Sequence, residues 1–226
     1  MPRAAVLVPC YKRPEYTKYC IEALEKSQEY SGVDFYLVDD GSHDDTYSIL
    51  SNAKLSSTII RNSETQGLRT VIVDFFELVR GKGYDYFLKM DNDCIVPKDW
   101  LTNLTSILRD SDFDIVSPNV LPSNAAFVLG KDGTPIRPSE TVGGLWCMKS
   151  NLIDGISFEK YAPNGIHGAF NILKQIIIEK EAKCGWVPMV EVQDVGHWSG
   201  EHPQHIKSKE HEEYSMIIGR PISWSA

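Results

Sequence analysis

Within its first hundred residues this chain alternates short apolar runs with stretches of helical period, and that rhythm leaves few folds open. Runs at 4–8, 35–38, 58–60 and 84–90 are rich in Val, Ile, Leu, Phe and Tyr, as strands buried on both faces are. Between the first two, Tyr16, Tyr19, Cys20 and Leu24 recur at three- and four-residue spacing and predict a helix. A second helix is expected over 44–53. A third opens after Gly67, runs through Val71, Phe75, Leu78 and Val79, and stops at Gly81 and Gly83. Parallel strands need long crossover connections, which helices supply. The order therefore predicts an α/β fold with a Rossmann-like, mostly parallel central sheet flanked by helices. In such sheets ligands bind beyond the carboxyl ends of the strands.

The second half is less regular. A helix is expected over 100–109 and a strand over 114–117. The Pro- and Gly-bearing stretch 118–138 reads as loops or a hairpin, with a turn at Lys131-Asp132-Gly133-Thr134. Strands are expected at 143–148 and 187–195, and a helix at 166–182. No repeat, low-complexity segment or linker marks a second domain, so the 226 residues are read as one unit.

Composition excludes several functions. A formal net charge of −8 disfavours a general polyanion binder, because affinity for nucleic acid rests on clustered Lys and Arg. The five cysteines (Cys10, Cys20, Cys94, Cys147, Cys184) are scattered, odd in number and form no Cys-x-x-Cys pair. They read as reduced thiols in a cytoplasmic protein rather than a disulfide frame or zinc site. No apolar stretch has the length of a membrane span, and the first residues lack a signal-peptide pattern.

Two acidic clusters carry the chemistry. Asp39-Asp40-Gly41-Ser42 ends the second apolar run, and Asp91-Asn92-Asp93 ends the fourth. Carboxylates two residues apart project to one side of an extended segment. At a strand's end they can gather around a divalent cation whose remaining ligands are phosphate oxygens, as Mg²⁺ or Mn²⁺ is held on a nucleotide. Taken alone, each cluster is equally compatible with a solvated turn or a helix cap.

Four stretches in order carry a more specific message. Val8-Pro9-Cys10-Tyr11-Lys12-Arg13, Leu37-Val38-Asp39-Asp40-Gly41-Ser42, the segment from Asn62 to Gly67, and Met90-Asp91-Asn92-Asp93 resemble the successive signatures of GT-A-fold glycosyltransferases of family 2. The likeness continues more faintly to about residue 200 through Gly143-Gly144 and Val195-Gly196-His197. It implies one GT-A domain over 1–226, with a nucleotide-binding half over 1–95, an acceptor-binding half over 96–226, and a smaller mixed region on the acceptor side. It further implies a metal-dependent enzyme, using Mn²⁺ or Mg²⁺, that moves a sugar from a nucleotide-diphosphate sugar, UDP-linked, to an acceptor hydroxyl with inversion.

The resemblance also implies roles. Asp40 would accept a hydrogen bond from the base, with Asp39 beside it and Pro9 and Tyr11 as pocket wall. Asp93 would bind the metal directly, Asp91 would act through ribose, water or the metal, and Asn92 would sit with them on the nucleotide sugar. His197 falls where several GT-A enzymes place a further metal ligand, and imidazole suits Mn²⁺. Arg69 and Arg13 are candidates for the pyrophosphate, and Trp198 for a sugar ring. The chain departs from the family at the catalytic base. Inverting members carry an acidic residue at the start of the helix before the final strand, whereas here the stretch reads Asn164-Gly165-Ile166-His167-Gly168-Ala169. His167 is the candidate base, with Asp194, Glu191 or a retaining mechanism without a base as alternatives. A nucleotidyltransferase that makes nucleotide sugars is a competing reading, weakened by the glycine-poor loop after the first strand. A non-catalytic nucleotide-sugar binding module is another. The acceptor, whether glycan, small molecule or protein, is not legible.

Overall fold

The computed structural model describes residues 2–27, 31–118, 128–129, 135–139, 143–158, 168–187, 190 and 192–194. His167, Glu191, His197, Trp198 and the turn expected at 131–134 lie outside them. The first half runs β1 (Ala4–Cys10), α1 (Pro14–Lys26), β2 (Val33–Asp40), α2 (Thr46–Ser51), β3 (Ser57–Asn62), α3 (Leu68–Val79), β4 (Tyr86–Lys89) and β5 (Cys94–Ile95). The second half adds α4 (Trp100–Asp110), β6 (Ile115–Pro118), β7 (Val128–Leu129), β8 (Pro135–Ser139), β9 (Trp146–Lys149), α5 (Gly168–Lys180), β10 (Cys184–Val187) and β11 (Gln193–Asp194).

Among the described residues the main sheet has the order β3-β2-β1-β4-β9-β6-β10-β8-β7. Strands β3, β2, β1 and β4 are parallel neighbours, as the crossover helices require. Strand β9 enters antiparallel between β4 and β6, and β8 runs antiparallel to β10 and β7. The sheet is thus mostly parallel, as expected. The run expected as one strand over 187–195 is instead divided. Strand β10 opens earlier, at Cys184, and pairs with β6, whereas β11 leaves the main sheet to pair with β5.

Strand alternation divides the core in two. Val6, Val8, Phe35, Leu37 and Leu88 face a layer built from α1, α2 and α4, where Cys20, Leu24, Leu50, Trp100 and Leu104 are buried. Ala5, Leu7, Tyr36 and Phe87 face α3 and α5, against Phe75, Phe76 and Ile172. Phe76 anchors this second layer, stacking on Phe158 with ring centroids 5.4 Å apart and contacting Phe87 at 6.1 Å. The helix stripes fall slightly off the expected residues. In α1 the buried face is Thr17, Cys20, Ile21, Ala23 and Leu24. Tyr19 of α1 and Leu78 of α3 point outward.

Candidate nucleotide-sugar site

The site lies where β2, β1 and β4 end side by side. Cys10 pairs with Asp39 at the last rung of β1 and β2, and Met90 extends β4 by donating its N–H to the Leu7 carbonyl at 2.9 Å. Both acidic clusters therefore open onto one edge of the sheet. The order of the strands achieves this: β1 is central, so the segments leaving its two parallel neighbours flank the loop leaving it.

The loop after β1 is bent sharply. Lys12 and Arg13 both adopt left-handed backbone, φ 57° and 61°, a conformation costing a non-glycine residue about 1 kcal/mol or more. Its surroundings hold it there. The Lys12 N–H donates to Ser42 Oγ at 2.8 Å, and the Arg13 carbonyl accepts the Thr17 N–H at 3.1 Å. Pro14 then starts α1 with no N–H to waste. The bend delivers Arg13 to the acidic triplet, where its Nη1 donates to Asp93 Oδ2 at 2.9 Å while the guanidinium lies 4.5 Å from the centre of the Tyr16 ring.

Asp39 and Asp40 are both buried but differ in use, because adjacent strand residues face opposite ways. Asp40 is saturated. Its Oδ1 accepts from Asn62 Nδ2 and the Gln66 N–H, each at 2.8 Å, and its Oδ2 from Thr65 Oγ1 and the Gly67 N–H, each at 2.9 Å. It thereby ties the 62–67 loop, which leads into α3, to the end of β2. Gly41 follows with φ 75°, and a Cβ there would collide with the backbone of Glu64 and Thr65 as that loop passes. Asp39 accepts the Ser42 N–H at 3.0 Å through Oδ1. Its buried Oδ2 has no hydrogen-bond partner among the described residues, although Arg61 Nε stands 3.4 Å away. That guanidinium is half exposed and packs on the Tyr47 ring at 4.3 Å. Pro9 is buried in β1, and Tyr11 is exposed beside the Lys12 ammonium. Arg69 is half-buried in the first turn of α3, just past the loop that Asp40 holds.

The triplet forms a turn in which the Asp91 carbonyl accepts the Cys94 N–H at 3.1 Å. Asn92 is turned inward, its amide donating to Thr17 Oγ1 at 2.8 Å and to the Lys12 carbonyl at 3.4 Å. It fastens the turn to α1. Asp93 is almost buried at Arg13, while Asp91 is a third exposed and pairs with the Lys89 ammonium. Gly144, at the entrance to β9, brings the second half of the chain against this pair. A Cβ there would overlap Asp91 Oδ2, and its carbonyl accepts from Lys89 at 2.9 Å. The backbone of Asp194 in β11 pairs with Cys94, one position past the triplet.

All five cysteines are free and buried. Burial, reinforced by the Asp39 carboxylate, pushes the Cys10 thiol up, and burial does the same to Cys20 and Cys147. These three stay protonated, which excludes them as nucleophiles. Lys89, Arg61 and Tyr47 were not among the residues expected from sequence. A lysine inside the apolar run Tyr86-Phe87-Leu88-Lys89-Met90 was the available signal, since lysine is seldom buried without a partner.

An open α/β sheet with acidic side chains on adjacent carboxyl ends fits the GT-A type of fold. The sequence profile described as glycosyl transferase family 2 matches residues 5–174, and the chain belongs to that family. No curated protein matches it in sequence. Among solved structures it resembles the mannosyltransferase PcManGT from Pyrobaculum calidifontis in complex with GDP-Man and Mn²⁺, at 18% identity and TM-score 0.61, over 83% of this chain and 55% of that one. GalNAc-T7 with UDP, GalNAc and Mn²⁺ aligns at 15% identity and TM-score 0.64, over 85% of this chain and 43% of that one. S. aureus TarS in complex with UDP-GlcNAc aligns at 15% identity and TM-score 0.60, over 82% and 56%. The chain thus spans about half the length of the solved structures it matches.

The residues present fit a divalent cation in kind. Asp91 and Asp93 offer hard carboxylate oxygens at a strand's end, under the side-chain-free wall that Gly144 provides. Among the described residues no group of three His, Cys, Asp or Glu forms a ready metal cluster. Two carboxylates suit an ion that completes its shell with phosphate oxygens and water.

Proposed function

We propose that this chain transfers a sugar from a UDP-sugar to an acceptor hydroxyl, with Mn²⁺ or Mg²⁺ held by Asp91 and Asp93. The observation that carries the reading is the convergence of Asp39, Asp93 and Arg13 on one sheet edge at the ends of three adjacent strands. A carboxylate on one side receives the base, and on the other carboxylates and cations surround the diphosphate. Bound there, the cation would neutralise the charge that develops on the departing nucleoside diphosphate. Arg13 and Arg69 add positive charge for the same leaving group.

For the base we assign the open acceptor to Asp39 rather than Asp40. Asp40 already receives four donors, whereas Asp39 Oδ2 receives none. A uracil N–H displacing the half-exposed Arg61 would satisfy it, with the guanidinium free to donate to a ring carbonyl. Tyr11 and Pro9 line the same edge. Asp40 contributes by holding the 62–67 loop and, through it, Arg69.

The acceptor side is assigned to the second half. His167 immediately precedes Gly168, the first residue of α5. An unprotonated imidazole can take the acceptor proton during inversion. His197 is assigned as a further metal ligand, which the pairing of β11 beside the triplet supports. Among the described residues no helix is long and apolar enough to cross a membrane. The free thiols support a cytoplasmic site of action.

The test is a panel of nucleotide sugars offered with Mn²⁺, read by thermal stabilisation and by slow donor hydrolysis. UDP-sugars are expected to stabilise and to be hydrolysed, with Asp39→Asn weakening their binding by roughly tenfold. Stabilisation without hydrolysis points to a binding module. Pyrophosphate released from UTP and a sugar phosphate points to the nucleotidyltransferase reading. If no nucleotide or nucleotide sugar binds, the transferase reading fails.

A further inference from the structure

Lys89 is an odd residue for its place. It occupies a rung of β4 between Leu7 of β1 and Trp146 of β9, and it is only 4% exposed. Burying an ammonium is costly, and an apolar residue on this rung would fill the space without that cost. Its ammonium is spent on two groups of the site, the Asp91 carboxylate and the Gly144 carbonyl. An ammonium has three donors, and these contacts use two of them. Asp91 is thus already neutralised by a fixed charge of the chain itself, and the overlap a Cβ would make at Gly144 shows how closely the wall confines that carboxylate.

We propose that Lys89 is a built-in counter-cation that competes with the divalent metal for Asp91. Metal alone then binds weakly. When a nucleoside diphosphate enters with the metal, its phosphates take over the charge of Lys89 while Asp91 turns to the cation, so the two ligands bind cooperatively. Lys89 thus acts on the metal through Asp91 and on the diphosphate directly. This inference rests on the transferase reading, in that it takes the triplet as the metal site.

The experiment measures Mn²⁺ binding by the EPR signal of free Mn²⁺, with and without UDP, on the full chain. In the wild type, UDP is expected to strengthen Mn²⁺ binding. Lys89→Met should tighten Mn²⁺ binding to the UDP-free protein by roughly tenfold, the scale expected when a touching like charge is removed. It should also shrink the enhancement by UDP by the same factor. A residue that merely fills space would leave metal affinity unchanged or lower it, and either result overturns the proposal. Because Lys89→Met leaves Asp91 without its partner, the same comparison is made on the Asp91→Asn background, where the carboxylate that Lys89 competes for is gone. There the proposal requires that Lys89→Met tighten Mn²⁺ binding clearly less than it does with Asp91 present, since the competition is gone; an equal tightening in both backgrounds overturns it. Wild-type protein that takes up no Mn²⁺ even with UDP sinks the metal-dependent reading itself, whereas wild-type binding with no tightening in Lys89→Met sinks the role of Lys89 alone.

Discussion

Asp93→Asn is expected to lower Mn²⁺-dependent hydrolysis of the donor by roughly two to three orders of magnitude, the scale seen when a group stabilising developing charge is removed. Asp93 holds its carboxylate nearly buried at the end of β4's turn, fixed by Arg13 at 2.9 Å. Asparagine keeps the shape, and its carbonyl oxygen still accepts from Arg13. The fold should therefore lose only about 1–2 kcal/mol, which at this chain length is a fall in Tm of roughly 2–8 °C. The charge, however, is gone, and with it the attraction for a cation. Asp91→Asn should cost less, roughly tenfold, because that carboxylate is a third exposed and its charge is better screened by solvent than that of the nearly buried Asp93. Steady-state hydrolysis and thermal melting on the same preparations separate the two effects. Turnover of Asp93→Asn within threefold of wild type would remove Asp93 from the metal site.

The strand ends were legible because an apolar run that stops at Asp or Gly marks both the end of a buried strand and the place where loops gather. Asp39, Asp91 and Asp93 could be placed on one edge from that rule alone, and the sheet's order places them there. Helix faces were read less well. Tyr16 and Tyr19 fit a three-residue spacing, yet tyrosine is amphipathic, and the stripe that packs on β1 passes through Thr17, Cys20 and Leu24 instead. Period-two alternation shows that Asp39 and Asp40 face opposite sides of the sheet, but it cannot show which one the chain consumes. That depends on a loop returning more than twenty residues later to spend four donors on Asp40. The Lys89–Gly144 contact was hidden for the same reason, since it joins residues 55 apart. The division of 187–195 into β10 and β11 depends on two different partners, β6 and β5, that no local pattern records.

Asp40 carries the largest expected effect on stability. All four of its partners are donors, two of them backbone N–H groups at the entrance to α3. In Asp40→Ala these donors lose a buried charged acceptor, at a cost of about 3–5 kcal/mol, the scale of several hydrogen bonds to a charged group lost together. Asparagine should rescue little. Whichever way its amide is turned, the NH₂ faces a backbone N–H, that of Gln66 or that of Gly67, and leaves it without an acceptor, for about 1–3 kcal/mol. The expected order of stability in urea is therefore wild type, then Asn, then Ala. The loop it ties down leads straight into Arg69, so donor binding should fall with it, and hydrogen exchange at Gln66 and Gly67 should rise. Asp39→Asn provides the contrast, because it leaves the 62–67 loop tied to Asp40 and should weaken the donor with far less effect on unfolding. If Asp40→Asn melts like the wild type while Asp39→Asn unfolds the protein, the assignment of the two neighbours is reversed: Asp40 meets the base, and Asp39 builds the turn.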